Sequence, residues 1–517
     1  MLAVLALPLL LAACAEAALG PKAELIISNA QHAPDGFTHD TIVVNNQFPA
    51  PLLTAKMGDN IDWKVLNLLS DTDFGTPTSV HWHGLFQHGS AYADGPAFVT
   101  QCPIVPYESF DYKFSVPGQA GTYWYHSHYK LQYCQGLRGP IVIYDPNDPQ
   151  KHLYDVDNEG TVITLADWYH TTQLGPPPHT ADSVLINGKG RYAGNLTAPL
   201  AVVNVKHGLR YRFRLVSMAC DANFVFSIDG HSFAVIEADG VAHQPLPVDS
   251  VQIFAGQRYS LVMAANQPPS NYWIRSKPDN ARNTTFTSGL NSAILRYAGA
   301  PVAEPSSVQP NLTQPLVEQN LHPLTDAAAP GAPYPGGADV SLLLNVTYNG
   351  TVFLTNGTTY QSPSVPVLLQ VLNGANASSL LPSGLVYQLP RNKVIELVIP
   401  GGVIAGPHPV HIHGHAFSVV RSAGNSTYNF VNPPKRDVVS IGSSATDRTT
   451  IRFVTDNPGP WFFHCHIDFH LAEGFAAVFV EDQPDIKAVD KPTKEWDTLC
   501  PAYNFYAQTH NLTTASG

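Results

Sequence analysis

Four times in this chain two histidines stand one residue apart: His81/His83 in HWHG, His126/His128 in YWYHSHY, His411/His413 in HPVHIHGH and His464/His466 in FFHCHIDFH. Successive side chains of a β-strand point to opposite faces, so on extended chain each pair presents both imidazoles on one side. Eight imidazoles brought together suit a small cluster of copper ions, because imidazole binds copper well and a polynuclear site needs many neutral ligands. Two pairs come early and two late, so the cluster is expected between the first and last parts of the fold.

Cys465 stands between His464 and His466 with opposite parity. Three good ligands in a row therefore serve two metal sites joined by a short covalent path, rather than one. His470 lies close enough to return to the thiolate side. His408 is opposite in parity to His411 and His413, so it can join Cys465 and His470 while those two face the cluster. A thiolate with two imidazoles and no strong fourth ligand suits a trigonal blue-copper centre. A structural zinc site fits poorly, since those use paired cysteines or Cys2His2 spacings. The methionines (Met1, Met57, Met218, Met263) lie far from this segment, and Phe475 stands where an axial Met could have followed. A non-ligating side chain there raises the potential and favours taking electrons from reluctant donors such as phenols. His415 shares the cluster parity but lies further along and reads as a packing residue. His88, His152, His170, His207 and His231 stand outside any pair and read as surface or satisfied core histidines.

Short runs rich in β-branched and aromatic residues (ELIIS, TIVVN, TVITLADW, RYRFRLV, KVIELVIP, TTIRFV) recur between Pro- and Gly-rich turns, and long helical periodicity is scarce. This predicts antiparallel sandwiches. A chain of 517 residues exceeds one hydrophobic core. Turn-dense YDPNDPQKH at 144–152 and Pro/Ala-rich 298–338 suggest boundaries, giving domains near 18–147, 148–312 and 313–517. Residues 2–15 form an apolar run, followed by Ala15-Glu16-Ala17, which reads as a secretory signal over 1–17. That run is too short to span a bilayer, and Pro8 interrupts it. Nine N-x-[ST] sequons agree with secretion: Asn195, Asn283, Asn311, Asn345, Asn349, Asn356, Asn376, Asn425 and Asn511. The formal net charge of -12, without a long basic run, argues against nucleic acid and anionic membranes. With Cys14 in the signal and Cys465 on metal, Cys102, Cys134, Cys220 and Cys500 form an even set for an oxidising compartment, in any of three pairings.

HWHGLFQ…ADGPAFVTQCPI, GTYWYHSHYKLQYCQGLRGPIVIYDP, HPVHIHGHAF and GPWFFHCHIDFHLAEGF closely resemble the fungal laccases of the blue multicopper oxidases. The resemblance implies an all-β fold of three cupredoxin-like Greek-key sandwiches, and a secreted monomer. It implies four coppers: type-1 on His408, Cys465 and His470, flanked axially by Ile467 and Phe475; type-2 on His81 and His411; and a type-3 pair on His83, His126, His128, His413, His464 and His466. It also implies disulfides Cys102–Cys500 and Cys134–Cys220. The implied reaction couples one-electron oxidation of phenols and aromatic amines to four-electron reduction of dioxygen to water.

Asp221, in MACDANF, matches the acidic residue that meets phenols in that family and could accept the phenolic proton. Asp94 and Asp468 are candidates for protonating reduced oxygen. YKLQYCQG, Val410 and Ile412 depart from the usual pattern without removing a ligand. The expected pocket loops, around 173–181 and 278–288, match the family poorly. The rival readings are another multicopper oxidase, a ferroxidase or an ascorbate oxidase, and a non-catalytic secreted copper-binding protein. A ferroxidase would want several carboxylates around the exposed type-1 histidine.

Overall fold

Strand exposure already separates surface from interior. Asn60–Leu68 alternates between buried and more exposed positions, as a strand with one wetted face does, whereas Gly121–Ser127 and Gly459–Cys465 are buried at every residue. Each of these two strands ends within a histidine pair, so those pairs lie deep in the interior. The computed structural model describes residues 18–171 and 179–512. The signal expected at 1–17 and most of the pocket loop expected at 173–181 lie outside the described residues.

The described strands form three sandwich units in chain order. Strands within 22–144 make two four-stranded sheets, those within 162–297 a seven- and a five-stranded sheet, and those within 340–481 two five-stranded sheets and a hairpin. Parallel and antiparallel neighbours mix as Greek-key crossovers require. Lys22–His32, for example, runs antiparallel to His39–Val44 and parallel to Asn60–Leu68. The Pro-rich stretch after Tyr297 contains no strand until Val340 among the described residues. It is pinned to the second unit by isolated bridges Ser250–Pro315 and His243–Pro323.

Near the C-terminus the helix Lys494–Thr509 lays Trp496, Leu499, Tyr503 and Ala507 on the core of the first unit. Their spacing follows the helical repeat, and Thr493 caps the start by accepting from the Trp496 amide at 3.3 Å. Burying each large side chain contributes about 1.5–3 kcal/mol. Pro501 inside this helix hid it from a reading based on periodicity. The helix also carries Cys500, which is bonded to Cys102; Cys134 is bonded to Cys220, and Cys465 is the free, buried cysteine. First and last units are thus tied covalently, and first and second likewise.

Candidate metal centres

Register places the histidines. Val80–His83 pairs with Gly121–Ser127 so that His81 stands opposite His126. Pro409–Ile412 pairs with Gly459–Cys465 so that His411 stands opposite His464, and Val410 opposite Cys465. The two ribbons meet across the first and third units, with His81 stacked on His413 and His83 on His411, each at 3.9 Å between ring centres. Two glycines let neighbouring backbone pack closely against these strands. A Cβ on Gly95 (φ +100°) would sit 1.9 Å from the Val80 carbonyl oxygen, and one on Gly256 (φ +83°) 2.7 Å from the His466 ring.

In most of these rings Nδ1 is held by an oxygen. His81 Nδ1 lies 2.7 Å from the Asp94 carbonyl, His126 Nδ1 2.9 Å from that of Ser127, His411 Nδ1 2.9 Å from that of Asp437, and His464 Nδ1 2.8 Å from that of Cys465. His413 Nδ1 lies 2.8 Å from Asp94 Oδ2. An Nδ1–H donated this way leaves the Nε2 lone pair for a metal. The Nε2 atoms of His81, His126, His128 and His411 are buried without a partner. Other rings face each other nitrogen to nitrogen at 3.1 Å, His413 with His464 and His466 with His83. Buried nitrogens without partners and converging ring nitrogens are costly unless a metal satisfies them, so the donor set fits copper. Burial, then neighbouring imidazoles, hold His83, His126, His128, His411, His413 and His466 well below the ordinary histidine range, and burial takes His464 down to about 3. These imidazoles are therefore held toward the neutral form, in which a ring nitrogen can bind a metal.

On the opposite face of the last ribbon, Cys465 Sγ lies 3.7 Å from His408 Nδ1 and 3.6 Å from His470 Nδ1, and those nitrogens are 3.0 Å apart. Burial lowers His408 to about 4; burial and His408 lower His470 to about 2. The same burial pushes the Cys465 thiol well up, so deprotonation there depends on a metal. Phe475 lies 5.4 Å from the His408 ring, and Ile467 belongs to the same buried cluster. Phe353, 4.7 Å from the His470 ring, was not found from sequence; it arrives on the remote hairpin Val346–Tyr348/Phe353–Thr355.

Models of the multicopper oxidase family match residues 26–148, 159–300 and 360–485. Laccase-2 of Trametes versicolor is 58% identical over 494 residues, covering 94% of this chain and 95% of that protein. This chain belongs to the multicopper oxidases, among the fungal laccases. The laccase of Phlebia radiata is 55% identical over 500 residues, 96% of each chain. The solved laccase of Botrytis aclada superposes with a TM-score of 0.83 at 31% identity, covering 96% of this chain and 94% of that one. Fet3p, a multicopper oxidase that functions in iron import, superposes with a TM-score of 0.80 at 27% identity over 96% of each chain.

Around the oxidase's histidine cluster the acidic residues differ in kind. Asp94 is fully buried, with Oδ2 on His413 Nδ1 and Oδ1 3.2 Å from His81 Nδ1, so it touches two imidazoles at once. Asp437 was missed: its Oδ1 lies 3.3 Å from His83 Nε2, and Arg258 donates to both its oxygens at 2.6 and 2.7 Å. No local signal in KRDVVS points to it, since its partners lie in the first and second units. Asp468 lines a cavity of about 250 Å³ together with His128, and burial raises its carboxyl well above the usual range. Its Oδ2 lies 3.4 Å from Cys134 Sγ, a contact and not a hydrogen bond because that sulfur is disulfide-bonded.

A second cavity, about 370 Å³, is lined by His470, Ile467, Phe469, His179, Asp221, Asp279 and Glu473. Asn280 donates to Asp221 Oδ2 at 2.6 Å, and burial together with Asp167 and Asp279 raises the Asp221 carboxyl to about 7. The unpaired histidines have other environments. His415 meets Glu481 at 2.8 Å, His170 meets Asp35 at 2.6 Å, His231 meets the Tyr297 hydroxyl at 2.6 Å and His152 meets the Pro149 carbonyl at 3.1 Å, while His88 and His207 are exposed.

Proposed function

We propose that this oxidase is a secreted laccase holding four coppers: type-1 on His408, Cys465 and His470, type-2 on His81 and His411, and the type-3 pair on His83, His126, His128, His413, His464 and His466. When bound, copper supplies one-electron oxidation of phenols and aromatic amines and four-electron reduction of dioxygen to water. The observation that carries this reading is the shared segment His464–His466, in which His464 Nδ1 bonds the carbonyl of Cys465 itself. One short stretch of chain thereby belongs to both centres.

The residues divide the work. His470 lines the donor cavity and is the edge a donor reaches first. Asn280 holds Asp221 Oδ2, leaving Oδ1 to take the phenolic proton. Phe475 and Ile467, in the buried apolar cluster that holds Cys465, would keep other ligating atoms and water away from a copper bound there. Asp94 orients two imidazoles, and Asp468, whose carboxyl is pushed toward its protonated form by burial, can hold a proton beside the cavity that reaches His128. Domains over 18–147, 148–312 and 313–517, a signal over 1–17 and a monomeric state belong to this reading. Among the described residues no helix is long and apolar enough to cross a membrane. Of the sequons, Asn356 is the poorest glycan acceptor, because its Nδ2 already donates to the Tyr387 hydroxyl at 2.6 Å.

Oxygen uptake by the copper-loaded protein given a methoxyphenol, with a peroxide assay alongside, tests the proposal. Uptake without peroxide is expected. The carboxylates beside His470 favour one second reading, oxidation of ferrous iron. Uptake with ferrous iron and none with the phenol would establish that reading instead.

A further inference from the structure

The donor cavity is one-signed. Asp221, Asp279 and Glu473 line it, and no lysine or arginine does among the described residues. The three carboxylates come from different elements: Asp221 after the strand Arg210–Ser217, Asp279 after Asn271–Pro278, and Glu473 after the helix Asp468–Ala472. Asp279 is exposed at the rim and is fixed by Asn223, whose amide donates at 2.9 Å and whose side chain also donates to it. Glu473 is half-buried, and its carboxylate makes no ion pair with any described residue. Arg282, the cation nearest in sequence to Asp279 on its C-terminal side, is tied to Asp182.

Taking this cavity as the donor site, we propose that Asp279 and Glu473 select electron donors by charge. They favour cationic aromatic donors, namely phenols and neutral aromatic amines that carry a separate cationic substituent, over anionic ones of the same ring. Asp221 keeps the separate task of receiving the phenolic proton. A charge seated about 8 Å from a carboxylate in a largely aqueous cavity changes occupancy roughly two- to threefold. For two carboxylates, the contrast between a cation and an anion is on the order of thirtyfold at low salt, shrinking once the Debye length falls to about 3 Å at 1 M.

The test uses the full-length, copper-loaded protein and three donors sharing one dimethoxyphenol ring. Through the same two-carbon spacer these carry trimethylammonium, hydroxyl or sulfonate, so ring potentials match. kcat/KM is measured at pH 6 in low and high salt for the parent, Asp279→Asn, Glu473→Gln and the double variant. The expected result is a cation-to-anion ratio well above ten in the parent, residing in KM rather than kcat. In the double variant the cationic donor should lose and the anionic donor gain relative to the hydroxyl one, bringing the ratio near one. A parent ratio near one, or a ratio unchanged in the double variant, overturns the proposal. If the variants instead lose only ferrous-iron oxidation, the carboxylates serve a metal ion and the proposal also falls. Failure of the laccase reading itself is distinguishable, because the hydroxyl donor would then not be oxidised at all.

Discussion

Replacing Asp221 by Asn keeps the side chain's shape and leaves an oxygen to accept from Asn280, while removing a charge that the cavity resists. Its carboxyl stands at about 7 because burial and two neighbouring aspartates, Asp167 and Asp279, oppose ionisation. An unfolded chain would ionise the same group near 4. Below that value both states are protonated and the site is neutral to stability. Between pH 4 and 7 the unfolded state sheds its proton first, so a penalty on folding builds as pH rises and is complete above 7. The full displacement corresponds to roughly 4 kcal/mol. Partial exposure of the side chain and sharing of the shift with its neighbours reduce this to about 2 kcal/mol. Asp221→Asn should therefore raise Tm by roughly 2–4 °C at pH 8 and by nothing at pH 4. In the same variant, kcat/KM for a methoxyphenol should lose the limb that rises toward pH 7 in the parent, since the base is gone. Differential scanning calorimetry and steady-state kinetics across pH 4–8 read both. A Tm gain equal at both pH values, or a surviving limb centred near 7, would refute the assignment of the proton acceptor.

Asp94→Ala removes the carboxylate acceptor that orients His413, while His81 keeps the backbone carbonyl of residue 94, and copper retention through dialysis should fall 10–100-fold with the Cys102–Cys500 bond intact. Arg258→Leu strands the Asp437 carboxylate between first, second and third units, at a cost of about 3–5 kcal/mol in denaturant unfolding. An unchanged midpoint would mean water replaces the guanidinium. Phe475→Met offers a thioether beside His408 and should lower the potential of a copper held by His408, Cys465 and His470 in a redox titration. No change there would place the residue away from the metal axis.

How much of this was legible in the chain follows from the range over which each cause acts. Strand parity is a property of neighbouring residues, so the spacing of the four His-x-His pairs and the opposite parity of Cys465 and His408 could be read directly. The same locality exposed the strand runs and hence an all-β fold. The resemblance added the division of ligands among copper types and the disulfide pairing, which spacing alone left open.

What only the tertiary structure decided are meetings across long separations. Asp437 reaches His83 across 354 positions, Asp94 reaches His413 across 319, and Phe353 comes to His470 on a hairpin with no ligand of its own. Asp279 and Glu473 look like ordinary loop residues until three elements place them around one cavity. Sequence thus determined the kinds of side chain available to a metal and the face each occupies. The packing of the sandwiches chose which carboxylates orient them and what charge an incoming donor meets, because those depend on contacts no local spacing encodes.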